Sequence, residues 1–227
     1  MNLQLETLLQ KHAASFHSVV PFNKTTDSLF DLHFASYGEE LITSLGSDTT
    51  VFAQWMSDLL KEQKAKYAIG GYKENRSPLY ARSKLFDDKE PRTIHLGIDI
   101  WGDAGTPVYA PLGGMVHSFA FNNQLGDYGV TIILQHQLQT VAFYTLYGHL
   151  SLKDIEALRI GQFINRGHAF AHFGNSEENG NWPPHLHFQV IKDMRQYEGD
   201  YPGVCKMSEL KKYVENSPDP SSLLNFS

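Results

Sequence analysis

The chain has 227 residues, which is enough for one domain with an appended segment and for a core that needs no disulfides or metals to hold it together. Its formal net charge is −6, from 19 Lys and Arg against 25 Asp and Glu, and this balance disfavours a nucleic-acid-binding protein. Hydrophobic residues form 41% of the sequence, so a disordered chain is excluded. The single cysteine, Cys205, excludes a disulfide framework and any zinc site built mainly from thiolates.

The sequence carries no signal for export or for membrane insertion. Residues 1–16 lack a basic start and a continuous apolar run, and no apolar stretch approaches the roughly 18 residues of a membrane span. We therefore expect a cytoplasmic protein that has neither a membrane nor a nucleic acid as its partner. The sequence sets no oligomeric state.

Residues 1–68 are predicted to form a helical N-terminal appendage. Apolar side chains recur at helical spacing near the start of the chain, over 30–45 and over 49–66, and Thr49 or Thr50 is a suitable N-cap for the last of these helices. Such an appendage would serve as a groove cover, a dimerisation element or a docking surface.

Residues 69–194 have the pattern of a β-rich domain, because short β-branched and aromatic runs alternate with Gly-containing turns. This pattern is typical of an antiparallel sandwich or barrel. Residues 195–227 are predicted to be a C-terminal extension with a short helix over 208–216. The expected fold class is α+β, with a mainly antiparallel β-sheet or sandwich domain and helices at the N-terminus. The strands are predicted at 98–100, 107–110, 115–119, 130–134, 141–147 and 185–190.

Eleven histidines are present, and three short motifs bring four of them together with one carboxylate. The motifs are His95-Leu-Gly-Ile-Asp99, Tyr-Gly-His149-Leu and His185-Leu-His187. Because side chains alternate between the two faces of a strand, His185 and His187 are expected to project together. For the same reason His95 and Asp99 share a face.

This combination of residue types predicts a zinc site. Two imidazoles and one carboxylate form a three-ligand set, and a catalytic zinc ion keeps its fourth position for water. Two of the four histidines would complete such a set with Asp99, and the other two would act as acid–base groups or stabilise an oxyanion. Gly97 would leave the space beside the first motif open. A single His-x-His pair is more often structural, so the prediction depends on the three motifs occurring together.

Together these motifs resemble the lysostaphin/LytM-type zinc metallopeptidases, a family of peptidoglycan endopeptidases. The resemblance covers about 93–191 and includes the connecting segments 105–111, 114–116 and 161–164. It implies that His95, Asp99 and His187 bind one Zn²⁺ per chain and that His149 and His185 are the catalytic pair. It also implies that the chain hydrolyses peptide bonds with metal-activated water.

The resemblance implies a substrate of the cell-wall type, such as a peptidoglycan cross-link or a muropeptide. Because no export signal is seen, a recycled muropeptide or another small peptide is also a candidate. Tyr72, Tyr80 and Trp182 lie in loops predicted to border the groove, where they would contact substrate, although ordinary loop packing is the favoured interpretation.

Two other functions stay open at this point. The first is a metal-binding regulatory or interaction module of the same fold that does not hydrolyse its ligand. The second is a β-sandwich that binds carbohydrate or peptide and carries an incidental histidine cluster. His168 and His172 have the spacing of a second histidine pair, but no carboxylate or cysteine accompanies them in a recognised pattern.

Overall fold

The computed structural model of the chain describes residues 5–80 and 89–226. The turn-forming residues at 87–91 predict a loop, and the first part of this loop lies outside the described residues. The α-helices are α1 Leu5–His12, α2 Glu39–Ser47, α3 Thr49–Glu62, α4 Ser77–Tyr80, α5 Lys153–Glu156 and α6 Leu210–Asn216. The strands are β1 Leu29–Asp31, β2 Tyr67–Gly70, β3 Ile94–His95, β4 Ile98–Trp101, β5 Pro107–Tyr109, β6 Gly114–Asn122, β7 Gly129–Leu138, β8 Val141–Leu150, β9 Phe163–Ile164, β10 Ala169–His172, β11 His185–Ile191 and β12 Val204–Cys205.

One large sheet dominates the fold. Its eight strands lie in the order β1-β2-β4-β11-β8-β7-β6-β9, and within the described residues only β1 and β2 pair in parallel. Two short antiparallel pairs, β5 with β10 and β3 with β12, lie outside this sheet. The predicted α+β class with a mainly antiparallel sheet and N-terminal helices is confirmed, and so are the six predicted strands.

The alternation of side chains along β4 and β11 separates a hydrophobic face from a polar face. Ile98 and Ile100 on β4 join the main core, as do Leu186, Phe188 and Val190 on β11. The residues between them face the other side of the sheet. This division follows from the two-residue period of a strand, and it leaves the polar face of β4 and β11 available for a functional site.

The N-terminal residues depart from the predicted helical pattern. The helix expected over 30–45 is wrong in its first part, because Leu29–Asp31 pairs with Tyr67–Gly70 as a strand and the helix begins only at Glu39. The apolar spacing of this segment fits a helix as well as a strand, and its hydrogen bonds to β2 favour the strand. The last helix begins as predicted at Thr49, but its cap is Asp48, whose carboxylate accepts the N–H groups of Thr50 and Val51.

Helices α2 and α3 pack on the polar side of the sheet, next to β4, whereas the buried residues of α1 join the main core. Phe52 of α3 lies with its ring centroid 5.3 Å from that of Trp101 and 5.9 Å from that of Phe34. These rings belong to a second hydrophobic cluster, which also includes Tyr80 and Trp182. The helices are therefore part of the wall beside the polar face of β4. Among the described residues, no helix has both the length and the apolar character that a membrane span requires.

Replacement of Phe52 by Ala is expected to lower the free energy of unfolding by about 3–5 kcal/mol, because the side chain is 0% exposed and its loss leaves a cavity among aromatic rings. Val51→Ala on the same helix is the matched control, since Val51 is 46% exposed, and its effect should stay within about 0.5 kcal/mol. Urea unfolding followed by circular dichroism measures both. Equal stabilities for the two variants would contradict the packing of α3 against β4.

Candidate metal centre

Three side chains on the polar face converge on one point. Nε2 of His95 lies 2.8 Å from Nδ1 of His187, and each of these nitrogens lies 3.2 Å from Oδ1 of Asp99. Ligand atoms held at about 2.0–2.2 Å in a tetrahedral zinc site lie about 3.3–3.6 Å apart, slightly farther than these three atoms lie from one another. All three side chains are buried, and they form a His/Asp/His group suited to a metal ion. The donor types and their spacing therefore fit zinc.

Strand pairing and one glycine bring these ligands together. His187 on β11 is directly opposite Asp99 on β4, and His95 ends the preceding strand β3. Gly97 lies between the two ligands of the first motif, and a Cβ there would lie 2.6 Å from both Cε1 and Nε2 of His187. The absence of a side chain at position 97 is therefore what admits the His187 ring.

The far nitrogen of each ligand histidine has a partner that fixes its tautomer. Nδ1 of His95 donates to the backbone carbonyl of Gly71 at 3.0 Å, and Nε2 of His187 donates to Oε1 of Gln189 at 3.0 Å. The amide of Gln189 is itself oriented, because its nitrogen donates to the Ser217 hydroxyl at 3.0 Å. Both histidines consequently present a lone pair toward Asp99, as metal binding requires.

The two carboxylate oxygens of Asp99 have different partners. Oδ1 faces the histidine nitrogens, while Oδ2 accepts a hydrogen bond from Nη1 of Arg76. Burial alone would raise the pKa of Asp99, but its contacts with His95 and with the charged guanidinium of Arg76 hold the pKa well below its ordinary value. Burial, together with the charge of Arg76, lowers the pKa of His95 to about 4. The site thus holds a carboxylate and a neutral imidazole at neutral pH.

The other two motif histidines form a second pair beside the ligands. The ring centroids of His149 and His185 are 4.0 Å apart, and His185 also stacks on Trp101 at 3.9 Å. Nδ1 of His149 donates to the carbonyl of Asn179 and Nδ1 of His185 to that of Pro183, each at 2.8 Å. Each ring therefore keeps Nε2 as a hydrogen-bond acceptor.

Burial keeps this second pair neutral. It lowers the pKa of His185 to about 4 and, as the largest cause, holds the pKa of His149 well below its ordinary value. His149 has a positive φ of 63°, a left-handed backbone conformation that it adopts directly after Gly148 at the end of β8. The pair is thus a set of neutral bases held in fixed orientations.

A cavity of about 250 Å³ opens over the two histidine groups. Its lining includes three aromatic residues beside the histidines, Tyr80, Trp101 and Trp182, and also Asp127 and Tyr128. The structure therefore places Tyr80 and Trp182, two of the residues predicted to contact substrate, on the cavity surface. Burial raises the pKa of Asp127 to about 6.

The third of those residues, Tyr72, is not among the residues that line the cavity. Its hydroxyl donates to the carbonyl of Ser217 at 2.9 Å, and its half-buried ring packs against the main core rather than on the cavity wall. His172 also lies apart from the site, since it is exposed and its Nδ1 pairs with Asp154 at 2.9 Å. Ordinary packing explains both residues.

Sequence reasoning missed three residues that support the site, namely Arg76, Tyr128 and Gln189. Gln189 follows His187 at a spacing of two, so strand alternation alone would have placed it on the same face. Arg76 and Tyr128 could not be found from strand alternation, because loops bring them to the site. The hydroxyl of Tyr128 lies 3.4 Å from Nε2 of His187, and Arg76 donates to Asp99.

Part of the sequence matches a known protein family. Residues 93–198 match the model of peptidase family M23. A comparison with curated protein sequences gives no match. Among solved structures, the chain is similar to a zinc-containing peptidase from Vibrio cholerae, with 29% identity over 48% of this chain and 32% of that one and a TM-score of 0.37. The match thus spans about a third of the Vibrio protein.

Two further structures resemble the chain at lower identity. The catalytic domain of lysostaphin from Staphylococcus simulans is 21% identical over 70% of this chain and 97% of that one, with a TM-score of 0.41. LytU is 24% identical over 64% of this chain and 85% of that one, with a TM-score of 0.38. The range that matches the model of peptidase family M23, residues 93–198, contains all five motif residues of the site.

Proposed function

We propose that this protein is a zinc-dependent endopeptidase that hydrolyses peptide bonds in peptidoglycan-type peptides or muropeptides. One observation carries the proposal: three metal-ligand atoms about 3 Å apart share a cavity with two neutral histidines whose Nε2 atoms are free to accept a proton. The family supports a peptide as the substrate class. The resemblance of the motifs to cell-wall peptidases supports the finer choice of substrate.

His95, Asp99 and His187 would hold one Zn²⁺ per chain. When bound, the ion supplies Lewis-acid chemistry, polarising a peptide carbonyl and making a water molecule more acidic. Asp99 contributes the only negative charge among the three ligands, and the histidines contribute neutral nitrogens in fixed tautomers.

The second histidine pair would move the protons. Because Nδ1 of His149 and of His185 already donates to a carbonyl, each Nε2 must first accept a proton before it donates one. The short separation of the two rings, 4.0 Å, disfavours two positive charges at once. We infer that one proton taken from the attacking water is held on this pair and then delivered to the leaving amine.

The walls of the cavity would orient the peptide and exclude water. Tyr80 and Trp182 offer flat aromatic surfaces to the cavity, and the hydroxyl of the buried Tyr128 lies 3.4 Å from Nε2 of His187. Water exclusion strengthens the electrostatic contacts within such a site.

Two alanine variants separate the roles of the histidines. His149→Ala is expected to keep zinc at the wild-type level and to lower kcat by about 10²–10⁴-fold, because it removes a proton acceptor and no metal ligand. His187→Ala is expected to lose zinc, because it removes a ligand. Metal mass spectrometry and hydrolysis of a panel of muropeptides and glycine-containing peptides measure the two properties.

His33→Ala is the matched control for these variants, since His33 is an exposed histidine far from the motifs in sequence. Zinc in the wild type without hydrolysis of any peptide would favour the non-hydrolytic metal-binding module. Absence of zinc from the wild type, even after zinc is added back, would contradict the metallopeptidase and leave a β-fold binding module.

Gly97→Ala tests the geometry of the ligands. The added methyl group would collide with the His187 ring, so we expect zinc affinity to fall about 10–100-fold, as when contacts around a metal site are disturbed. Gly38→Ala is the control, because a Cβ at Gly38 meets no atom within 4 Å. Competition with a chromophoric chelator gives both affinities, and equal values would show that the His187 ring does not need the space at Gly97.

A further inference from the structure

The segment from Gly71 to Arg76 runs along the strand that carries the first ligand. The N–H of His95 donates to the carbonyl of Glu74 and the N–H of Lys73 donates to the carbonyl of His95, each at 2.9 Å. The N–H of Arg76 donates to Thr93 at the same distance. This segment precedes the residues that match the family model, yet its backbone is paired with the ligand strand.

This segment makes hydrogen bonds to two of the three proposed ligands. The carbonyl of Gly71 accepts Nδ1–H of His95, and Nη1 of Arg76 donates to Oδ2 of Asp99. The Arg76 contact occupies the oxygen that does not face the histidine nitrogens. It therefore leaves only Oδ1 of Asp99 for a metal ion.

Arg76 is fixed in that position by its own surroundings. Its side chain is 3% exposed, its Nε donates to Oε2 of Glu74 at 2.9 Å, and its guanidinium lies 5.1 Å from the centre of the Phe34 ring. A buried guanidinium requires paired, hydrogen-bonded partners, and Glu74 supplies a second one. Glu74 also balances the charge of Arg76, so the negative charge of Asp99 is left to face the histidines.

We propose that Arg76 is a positioning residue that restricts Asp99 to one-oxygen coordination and so keeps a coordination position open for water or substrate. The inference rests on the proposed function, because it assigns Asp99 as a metal ligand. Without Arg76, Asp99 would be free to present both oxygens to the ion and to close the open position. Glu74 is the second member of this positioning pair.

The test replaces zinc with Co²⁺, whose visible absorption is intense in a four-coordinate site and weak at higher coordination number. Arg76→Ala is expected to bind Co²⁺ with weakened visible bands and, when loaded with zinc, to lose about 10–100-fold in turnover. Arg76→Lys should restore part of the band intensity. A lysine ammonium group can bond to Asp99, but it lacks the planar guanidinium that bonds to Asp99 and Glu74 at the same time. Glu74→Gln should also weaken the visible Co²⁺ bands, but by less than Arg76→Ala does.

Arg166→Ala is the matched control, since Arg166 is an exposed arginine whose Nη1 donates to the carbonyl of Ser15, away from the candidate metal ligands. If Arg76→Ala does not fold, Arg76→Lys and Glu74→Gln carry the test, because both keep most of the buried volume. Wild-type spectra and turnover in these variants, with only a lower melting temperature, would overturn the inference. A wild type that binds Co²⁺ but cleaves no peptide would contradict the proposed function alone, and the spectra would still decide the role of Arg76.

Discussion

The antiparallel pairing of β4 with β11 is the constraint on which the rest of the site depends. It sets His187 directly opposite Asp99 and, by strand alternation, directs the neighbouring apolar residues into the main core. A slip of one residue in this register would bury the candidate ligands in the core and expose aliphatic side chains. The hydrophobic effect that stabilises the sheet therefore also fixes the geometry of the candidate metal ligands.

Much of this arrangement could be predicted from the sequence, because the period of a strand is local information. The spacing of His185 and His187 predicted a shared face, and the fold class followed from the short alternating runs. Arg76 could not be found in this way, since it lies 23 positions before Asp99 and reaches it through a loop. The strand at Leu29–Asp31 was missed for a related reason: its partner, β2, lies far along the chain, and its own periodicity also suits a helix.

The N-terminal residues contribute more to the site than an appendage would. Rings of Phe34 and Phe52 pack on Trp101, which in turn stacks on His185. The chain of contacts from helix to histidine is continuous and buried. The orientation of one proposed proton carrier consequently depends on residues that the family model does not match.

The backbone of His149 is in a strained conformation, and its side chain lies in the cavity. A left-handed conformation costs a residue with a side chain about 1–2 kcal/mol, although histidine tolerates it better than most. Glycine would relieve that strain but would remove the imidazole from the cavity. The strained backbone at His149 is therefore a stability cost that comes with placing an imidazole ring in the cavity.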